Sequence, residues 1–459
     1  MNFQNYFYID SRSIRLFRVL IGLVVCHDLL VRFSDFTAHY TDLGVLPLQA
    51  WYTQYKTPGF WSLAALSSNG IYTLILFFVG LAAAVALVFD KYVRLSTVLC
   101  WVVLLSLQNR NPILYQGGDD MLRMVLFWSV FIPKYPKGTG KAYQIVGLAT
   151  MALLIQALYP LFFSGLYKGA YEWWYKGTAF NYALQLDQLT RPFGLWLRQY
   201  PIVTGLLTRV VYIVELAVLP VFLFPLFRER IRVIVFWTLF AFSLGIILCF
   251  MIGLFPLCIM ACSVLFIPTS FWQRFKHREV EIYTQDDASV LVWWGRRFVL
   301  LTFFITVLWW NVVDVRGSRV KFPRSMVKGM VALRLNQTWG MFAPTVFKDD
   351  GWLVLSAKLS NGDIVDLNND NLPVDFEKPS YVLDRFKNDR WRKYTEQIYS
   401  SGNAHLRKYF ADYLEHEYIE ANKVERSIEH LDIYYMRELT PQGEEQFHIE
   451  KVLLYSTKK

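Results

Sequence analysis

Residues 71–89 read IYTLILFFVGLAAAVALVF, a run that contains no charged side chain. A helix needs about 20 mostly apolar residues to cross the hydrocarbon core of a bilayer, so this run predicts a membrane-spanning helix. Of the 459 residues, 54% are hydrophobic and 18% are charged, against a charged share of about 25% in soluble domains. This balance, with a mean hydropathy of +0.28, argues against a soluble, disordered or disulfide-stabilised protein and predicts an integral membrane protein.

Eight further segments are also predicted to cross the membrane. They cover residues 14–33, 95–107, 121–133, 144–167, 203–227 and 298–313, with a two-span helical hairpin over 233–268 that is broken near Gly253 and Pro256. The predicted fold is therefore mainly α, a polytopic transmembrane helical bundle of about nine spans in residues 1–315. Residues 316–459 carry 22 Lys and Arg against 21 Asp and Glu, and are predicted to form a small C-terminal α+β extramembrane domain.

The tail carries two hairpin signals. Asn361-Gly362 separates the alternating run 352–359 from residues 364–367, which predicts a two-residue turn. Residues 428–436 and 447–455, joined by the turn sequence of 440–443, predict a second hairpin. Residues 380–399 and 405–422 are predicted to be polar amphipathic helices. All five cysteines lie in the predicted spans, so the tail is expected to fold without disulfides.

The basic residues indicate an orientation, because short loops rich in Lys and Arg stay in the cytoplasm. One set of alternate loops contains Arg12, Arg15, Arg18, Lys91, Arg94, Lys134, Lys137, Lys141, Arg228, Arg230, Arg232, Arg274, Lys276, Arg278, Arg296 and Arg297. The opposite loops are poorer in basic residues. We therefore expect a cytoplasmic N-terminus and an extracytoplasmic (periplasmic) tail. The first apolar segment lacks a small-residue cleavage site, which predicts an uncleaved anchor. A basic excess in the apolar part argues against a nucleic-acid binder.

Ionisable side chains inside a membrane are costly, so each one needs a partner or a function. The first span places its arginines and Asp28 within an arc of about 140°. A structural ion network and a ligand-binding role are both open for these charges, which we expect to surround one interior chamber. The predicted polar network consists of Arg15, Arg18, Asp28, Arg32, Asp119, Asp120, Arg123 and Glu215.

Lys168 is the candidate base. It ends a long apolar segment and is followed by Trp173, Trp174 and Tyr175. One interpretation is that its ammonium group reaches to the membrane interface. The other is that the aromatic side chains enclose it, so that desolvation favours a neutral amine that accepts a proton. Glu215 is a candidate partner in the second case.

Several motifs in order resemble the HTTM family, membrane proteins related to the vitamin K-dependent γ-glutamyl carboxylase. They are the first helix with its Arg and Asp residues, YTDLGVLP at 40–47, GGD at 117–119 with Leu122-Arg123, SGLYK at 164–168, and QTWGMFAP at 337–344. The late Phe255 and the Phe266-Ile267-Pro268 sequence fit bacterial members. The resemblance implies a multi-pass protein of the bacterial inner membrane.

The resemblance implies that Lys168 deprotonates a quinol, either vitamin K hydroquinone or menaquinol. With oxygen, the quinol yields a strong base that abstracts a glutamate γ-proton before carbon dioxide is added. The cofactor-binding candidates are Trp173, Trp174, Tyr175, Asn109 and Arg110. Two positions differ, because Arg110 and Ser243 stand where the carboxylase has histidines.

Two functions follow as hypotheses. One is a quinol-dependent enzyme that modifies an exported protein or peptide. The other is a non-catalytic membrane scaffold, a maturation or export accessory that holds a secreted or surface partner through residues 316–459. No spacing in the sequence predicts a metal site.

Overall fold

The computed structural model describes residues 6–284, 290–315, 318–422, 428–440 and 448–457. The helices are α1 (Ser11–Ser34), α2 (Phe36–Tyr40), α3 (Leu48–Gln54), α4 (Gly70–Val88), α5 (Val93–Arg110), α6 (Gly117–Val130), α7 (Leu148–Tyr167), α8 (Tyr171–Trp174), α9 (Ala179–Leu184), α10 (Pro192–Leu197), α11 (Pro201–Leu223), α12 (Arg228–Cys249), α13 (Phe255–Ser263), α14 (Thr269–Phe275), α15 (Val290–Asp314), α16 (Arg324–Leu333), α17 (Asp389–Tyr399) and α18 (Arg407–Asn422). The strands are β1 (Ile9–Asp10), β2 (Ala142–Val146), β3 (Val280–Thr284), β4 (Asp349–Leu359), β5 (Ile364–Asp366), β6 (Leu372–Pro373), β7 (Ile428–Leu439) and β8 (His448–Ser456). Short 3₁₀ helices cover Leu63–Ala65, Pro112–Leu114, Val264–Phe266, Val382–Arg385 and Ser401–Leu406.

By helix length and composition, the part of the chain that the structure describes contains five or six candidate spans, and the nine predicted are not confirmed. Among the described residues, α4, α7, α11, α12 and α15 are long and apolar enough to cross a bilayer. A sixth span results if the segment from Phe255 to Phe266 and α14, which meet at an angle of 82°, count as one broken span. The predicted break near Gly253 is confirmed, because α12 ends at Cys249 and α13 begins at Phe255.

Three predicted spans are helices that fail this test for physical reasons. Helix α1 is 24 residues long, but it contains four arginines and Asp28. Helix α5 ends in the polar sequence Gln108-Asn109-Arg110, and α6 has only 14 residues. Residues 118–128 of α6 are all buried, so neighbouring helices rather than lipid surround it. An apolar run therefore marks a core helix as readily as a span.

A small sheet that the sequence analysis did not predict lies at the N-terminal end of α1. Strand β1 pairs antiparallel with β2, which pairs parallel with β3. The segment 144–167, predicted as one span, is therefore divided: its first residues belong to β2, and α7 begins only at Leu148.

The C-terminal sheet has the order β6-β5-β4-β7-β8, with antiparallel neighbours. Both predicted hairpins are confirmed as strand pairs, β4 with β5 and β7 with β8. The turn of the second hairpin lies outside the described residues beyond Thr440. Helices α17 and α18 lie within the two predicted helical segments.

The two sheets lie at opposite ends of α1, which is about 36 Å long at 1.5 Å per residue. At the N-terminal end of α1, Asp90 accepts hydrogen bonds from Arg18 and Lys137, and Lys141 pairs with Glu281. This end therefore brings together several of the basic loops that the sequence analysis grouped.

At the other end, Asn388 donates a hydrogen bond to Asp35, which follows α1, at 2.6 Å. The C-terminal sheet packs on loops of the N-terminal part of the chain. Leu355 and Ile433 of the sheet share a core with Val45, Trp51 and neighbouring side chains. By contrast, Met330, Leu335 and Trp339 pack in the core of the helical bundle, so the sheet unit itself begins at Asp349.

Gly118 allows α6 and α13 to cross closely. A Cβ atom at Gly118 would lie 2.6 Å from the backbone nitrogen of Phe255 and 2.9 Å from the Cβ of Leu254. We expect Gly118→Ala to destabilise the protein by about 1–3 kcal/mol, because the two backbones must separate. The midpoint of thermal unfolding in detergent micelles measures this loss.

Gly117→Ala is the matched control, since it lies in the same helical turn and its Cβ would meet only the flexible end of Met341, at 3.3 Å. Equal losses of stability in the two variants would contradict the close crossing.

Candidate functional site

An ion pair joins the C-terminal end of α7 to the middle of α11. The Nζ atom of Lys168 lies 2.5 Å from Oε1 and 2.7 Å from Oε2 of Glu215. Only 4% of Lys168 and 2% of Glu215 are exposed. The ammonium group is therefore enclosed rather than extended into solvent, and both charges are shielded by protein. Lys168 caps the C-terminal end of α7, where the helix dipole favours a cation.

Gly165 makes this pair possible. A Cβ atom at Gly165 would lie 3.1 Å from the Cβ of Glu215 and 3.1 Å from the backbone nitrogen of Leu216. Small residues at such positions let two membrane helices approach closely. The glycine of the SGLYK motif thus lets α11 approach α7 closely. The short side chain of Glu215 can then contact Lys168.

Only one of the three predicted aromatic residues covers the pair. The Trp173 ring lies 4.4 Å from the Nζ atom of Lys168, and its Nε1 donates to the carbonyl oxygen of Phe342 at 3.1 Å. Trp174 is 59% exposed and Tyr175 is 69% exposed, so both face away from the protein core.

A second buried ionic centre joins the bundle to the C-terminal sheet unit. Asp28 and Arg32 of α1 pair at 2.9 Å, and Arg32 reaches Asp119 of α6 at 2.6 Å. Arg390 of α17 completes this centre, with 2.8 Å to Asp28 and 2.7 Å to Asp119. Two carboxylates thus face two guanidinium groups. The sequence predicts Asp28, Arg32 and Asp119 as polar-network residues but not Arg390, whose partners lie more than 270 positions away in the chain.

Arg123 has a neighbouring set of partners. It pairs with Asp120 and donates to the Oε1 atom of Gln108 and to the carbonyl oxygen of Arg334, both at 2.7 Å. The phenol of Tyr115 also contacts Asp120. This group fixes the start of α6 against the segment that follows α16.

The remaining predicted residues lie elsewhere. Asn109 donates to the carbonyl oxygen of Trp61 at 2.6 Å, and Arg110 donates to that of Leu46 at 2.9 Å, so both fix loops. Arg18 pairs with Asp90 at the other end of α1, and Arg15 is exposed. The buried charges thus form separate groups rather than surrounding one chamber, since Arg18 pairs at one end of α1, Arg32 near the other end, and Lys168 with Glu215 between α7 and α11.

His39 lies beside the second ionic centre, and neither ring nitrogen has a hydrogen-bond partner among the described residues. Its ring centroid lies 4.6 Å from that of Trp391. The pKa of His39 is lowered to about 3, chiefly by burial; Asp35 opposes this shift, and Arg32, Arg390 and Lys387 contribute to it. The imidazole is therefore neutral where α2 meets α17.

No described group of three or more His, Cys, Asp or Glu side chains has the arrangement of a metal site.

We expect the stability conferred by neutral His39 to be complete above about pH 6.5 and to decline as the pH falls toward 3. The reason is that an unfolded histidine takes up a proton near pH 6.5, whereas folded His39 does not until about pH 3. At pH 5 the loss should be about 2 kcal/mol. Unfolding midpoints of wild type and His39→Phe between pH 7.5 and 5 measure this loss, and the variant should lose less stability than wild type.

His405→Phe, at an exposed position, is the control. Parallel stability profiles for wild type and His39→Phe would refute the assignment.

Removal of the Arg390 side chain should detach the sheet unit from the bundle. Arg390→Ala leaves Asp28 and Asp119 with Arg32 as the one guanidinium of the centre, and breaking a buried ion network costs about 3–5 kcal/mol. Limited proteolysis should cut the chain near residues 316–348 faster than in wild type. Lys387→Ala removes an exposed cation that pairs with Asp35, and it should leave the cleavage rate nearly unchanged. Similar rates for both variants would show that Arg390 does not hold the unit.

One comparison with known proteins identifies part of this chain. The HTTM domain family model matches residues 127–272, which run from within α6 to within α14 and include both Lys168 and Glu215. No curated protein and no solved structure matches the chain. The resemblance predicted from the motifs is thus confirmed for this stretch: residues 127–272 match the HTTM domain model, in a chain with five or six helices suited to span a membrane.

Proposed function

We propose that this HTTM-family membrane protein modifies an exported protein or peptide, with Lys168 and Glu215 as its acid–base pair. The observation that carries the proposal is the enclosed contact of 2.5 Å between the Nζ atom of Lys168 and the carboxylate of Glu215. Ionisable residues buried at membrane depth are expensive to keep, and they often mark proton-transfer or substrate sites. The pair lies inside the matched HTTM segment.

The chemistry follows from the surroundings of the pair. In a site without water, a lysine and a glutamate in contact exchange a proton at low cost, because the neutral pair and the ion pair differ less in energy than in water. The neutral form offers the Lys168 amine as a base, while Glu215 holds the proton. Trp173 covers the amine and keeps bulk water from protonating it.

A hydroquinone fits this donor set by its chemistry. Trp173, whose ring lies 4.4 Å from the Nζ atom of Lys168, would hold its flat ring, and Lys168 would accept a phenolic proton. When bound, vitamin K hydroquinone or menaquinol would supply the two electrons and, with oxygen, the strong base. The residues of this chain would orient the ring, take up the proton and exclude water.

We further propose that the N-terminus is cytoplasmic and the C-terminal sheet unit extracytoplasmic, in a bacterial inner membrane. The gathering of basic loops at the end of α1 opposite to this unit supports that orientation. The sheet unit would then bind an exported partner. Helix α17 would couple the position of the sheet unit to the bundle through Arg390.

A non-catalytic scaffold is the second candidate, favoured by the bidentate contact that leaves neither Lys168 nor Glu215 free in this conformation. The two positions at which this chain lacks the histidines of the carboxylase also favour it. Arg110 holds a loop, and Ser243 is fully buried. In that case the pair would lock α7 to α11, and the sheet unit would hold the partner.

Transfer of label from bicarbonate separates the two candidates. Membranes with wild-type protein would be incubated with reduced menaquinone, oxygen, labelled bicarbonate and the exported proteins of the producing cells. We expect protein-bound label that falls about 100-fold or more in Lys168→Ala, since a positioned base contributes at least that factor. Glu215→Gln should also lower it.

Lys176→Ala removes an exposed lysine eight positions away, and it should leave the label unchanged. Unfolding midpoints establish that each variant is folded. Absence of label with the wild type, or label that persists in folded Lys168→Ala, would reject the acid–base proposal and leave the scaffold.

A further inference from the structure

We propose that a groove at the basic end of α1 binds the phosphate headgroup of an anionic phospholipid. The cavity has a volume of about 440 Å³ and is formed by α1 and by α14 with the residues that follow it. Its cations come from Arg12, Arg15, Lys276 and Arg278. We call this cavity the basic groove. Neither Lys168 nor Glu215 lines it, so it is separate from the acid–base pair.

The charge of the basic groove is largely uncompensated. Asp10 pairs with Arg12 at 2.8 Å, which leaves Arg15, Lys276 and Arg278 as an excess of three positive charges among the described residues. Guanidinium groups present parallel N–H donors that match the oxygens of a phosphate. The ligand that such a set recognises is therefore an oxyanion, and we take the phosphate of a lipid headgroup as that oxyanion.

The groove also has an apolar part, which distinguishes a lipid from a soluble anion. Leu16 and Val19 lie one and two turns beyond Arg12 on the same face of α1 and line the cavity. Phe275, which is 74% exposed, lines it from α14. Cations at the rim and aliphatic side chains deeper along the helix match a headgroup followed by acyl chains.

The geometry of α14 suits the surface of a membrane. It turns by 82° from the preceding helical segment, so it would lie nearly in the plane of the surface if that segment runs across the bilayer. Trp272 of α14 donates to the hydroxyl of Ser13 at 2.8 Å, which fixes this helix against α1. With that segment across the bilayer, the groove would open at headgroup depth.

A second cavity beside α1, of about 350 Å³, is lined by the cations Arg18, Arg94 and Lys137 among other residues. Asp90 also lines it and pairs with Arg18 and Lys137. Because this carboxylate competes for the cations, the basic groove is the stronger anion site.

The test uses the full-length protein in detergent with phosphatidylglycerol, phosphatidylcholine or inorganic phosphate, each at the same phosphate concentration. We expect phosphatidylglycerol to raise the unfolding midpoint and to remain bound in native mass spectra. Each basic residue near an anionic headgroup contributes about a fivefold gain in affinity. Arg15→Gln with Arg278→Gln should therefore weaken phosphatidylglycerol binding about 25-fold.

The matched control is Arg274→Gln with Arg230→Gln, which removes two cations at the same end of the protein that do not line the groove. This control should bind as wild type does. Equal stabilisation by phosphatidylcholine, or equal affinity of the two double variants, would overturn the proposal. Stabilisation by inorganic phosphate equal to that by phosphatidylglycerol would assign the groove to a free anion and overturn the lipid.

Discussion

A charge between packed helices has no water to solvate it, and it must find an opposite charge or hydrogen-bonding groups inside the protein. In this chain that requirement determines which helices meet. Arg32 on α1 pairs with Asp28 of the same helix and with Asp119 of α6. Arg390 of α17 balances the remaining negative charge. An element of the C-terminal sheet unit thereby supplies a buried ion of the bundle, so the two parts of the chain are coupled electrostatically.

Two glycines allow the polar contacts to form at short range. Gly118 brings the start of α6 against α13, and Gly165 brings α7 against α11. Larger side chains at either position would move the helices apart. The Lys168–Glu215 pair depends on the second contact, because a glutamate side chain is short. The contact between Lys168 and Glu215 therefore requires the close approach of the two helix backbones.

The charge of the molecule is unevenly distributed along α1. One end gathers arginines and lysines around the small sheet and the basic groove, whereas the other end carries the C-terminal sheet unit. This asymmetry links the proposed orientation to the proposed lipid site, since anionic lipids and basic loops attract each other at the same surface. The Lys168–Glu215 pair belongs to neither feature, because neither residue lines the basic groove.

The sequence alone determined most of the local elements. Apolar runs predicted helices in the segments placed as spans, apart from β2 at the start of 144–167, and Asn361-Gly362 predicted its hairpin, because both depend on neighbouring residues. It also indicated Lys168 and Glu215 as candidates, since ionisable residues in apolar helices are rare. Only the tertiary structure decided which apolar helices are enclosed by protein, as α6 is, because lipid and a protein core select the same side chains. It likewise decided that Glu215 pairs with Lys168 and that Arg390 joins the α1 network, because these contacts link residues far apart in the chain.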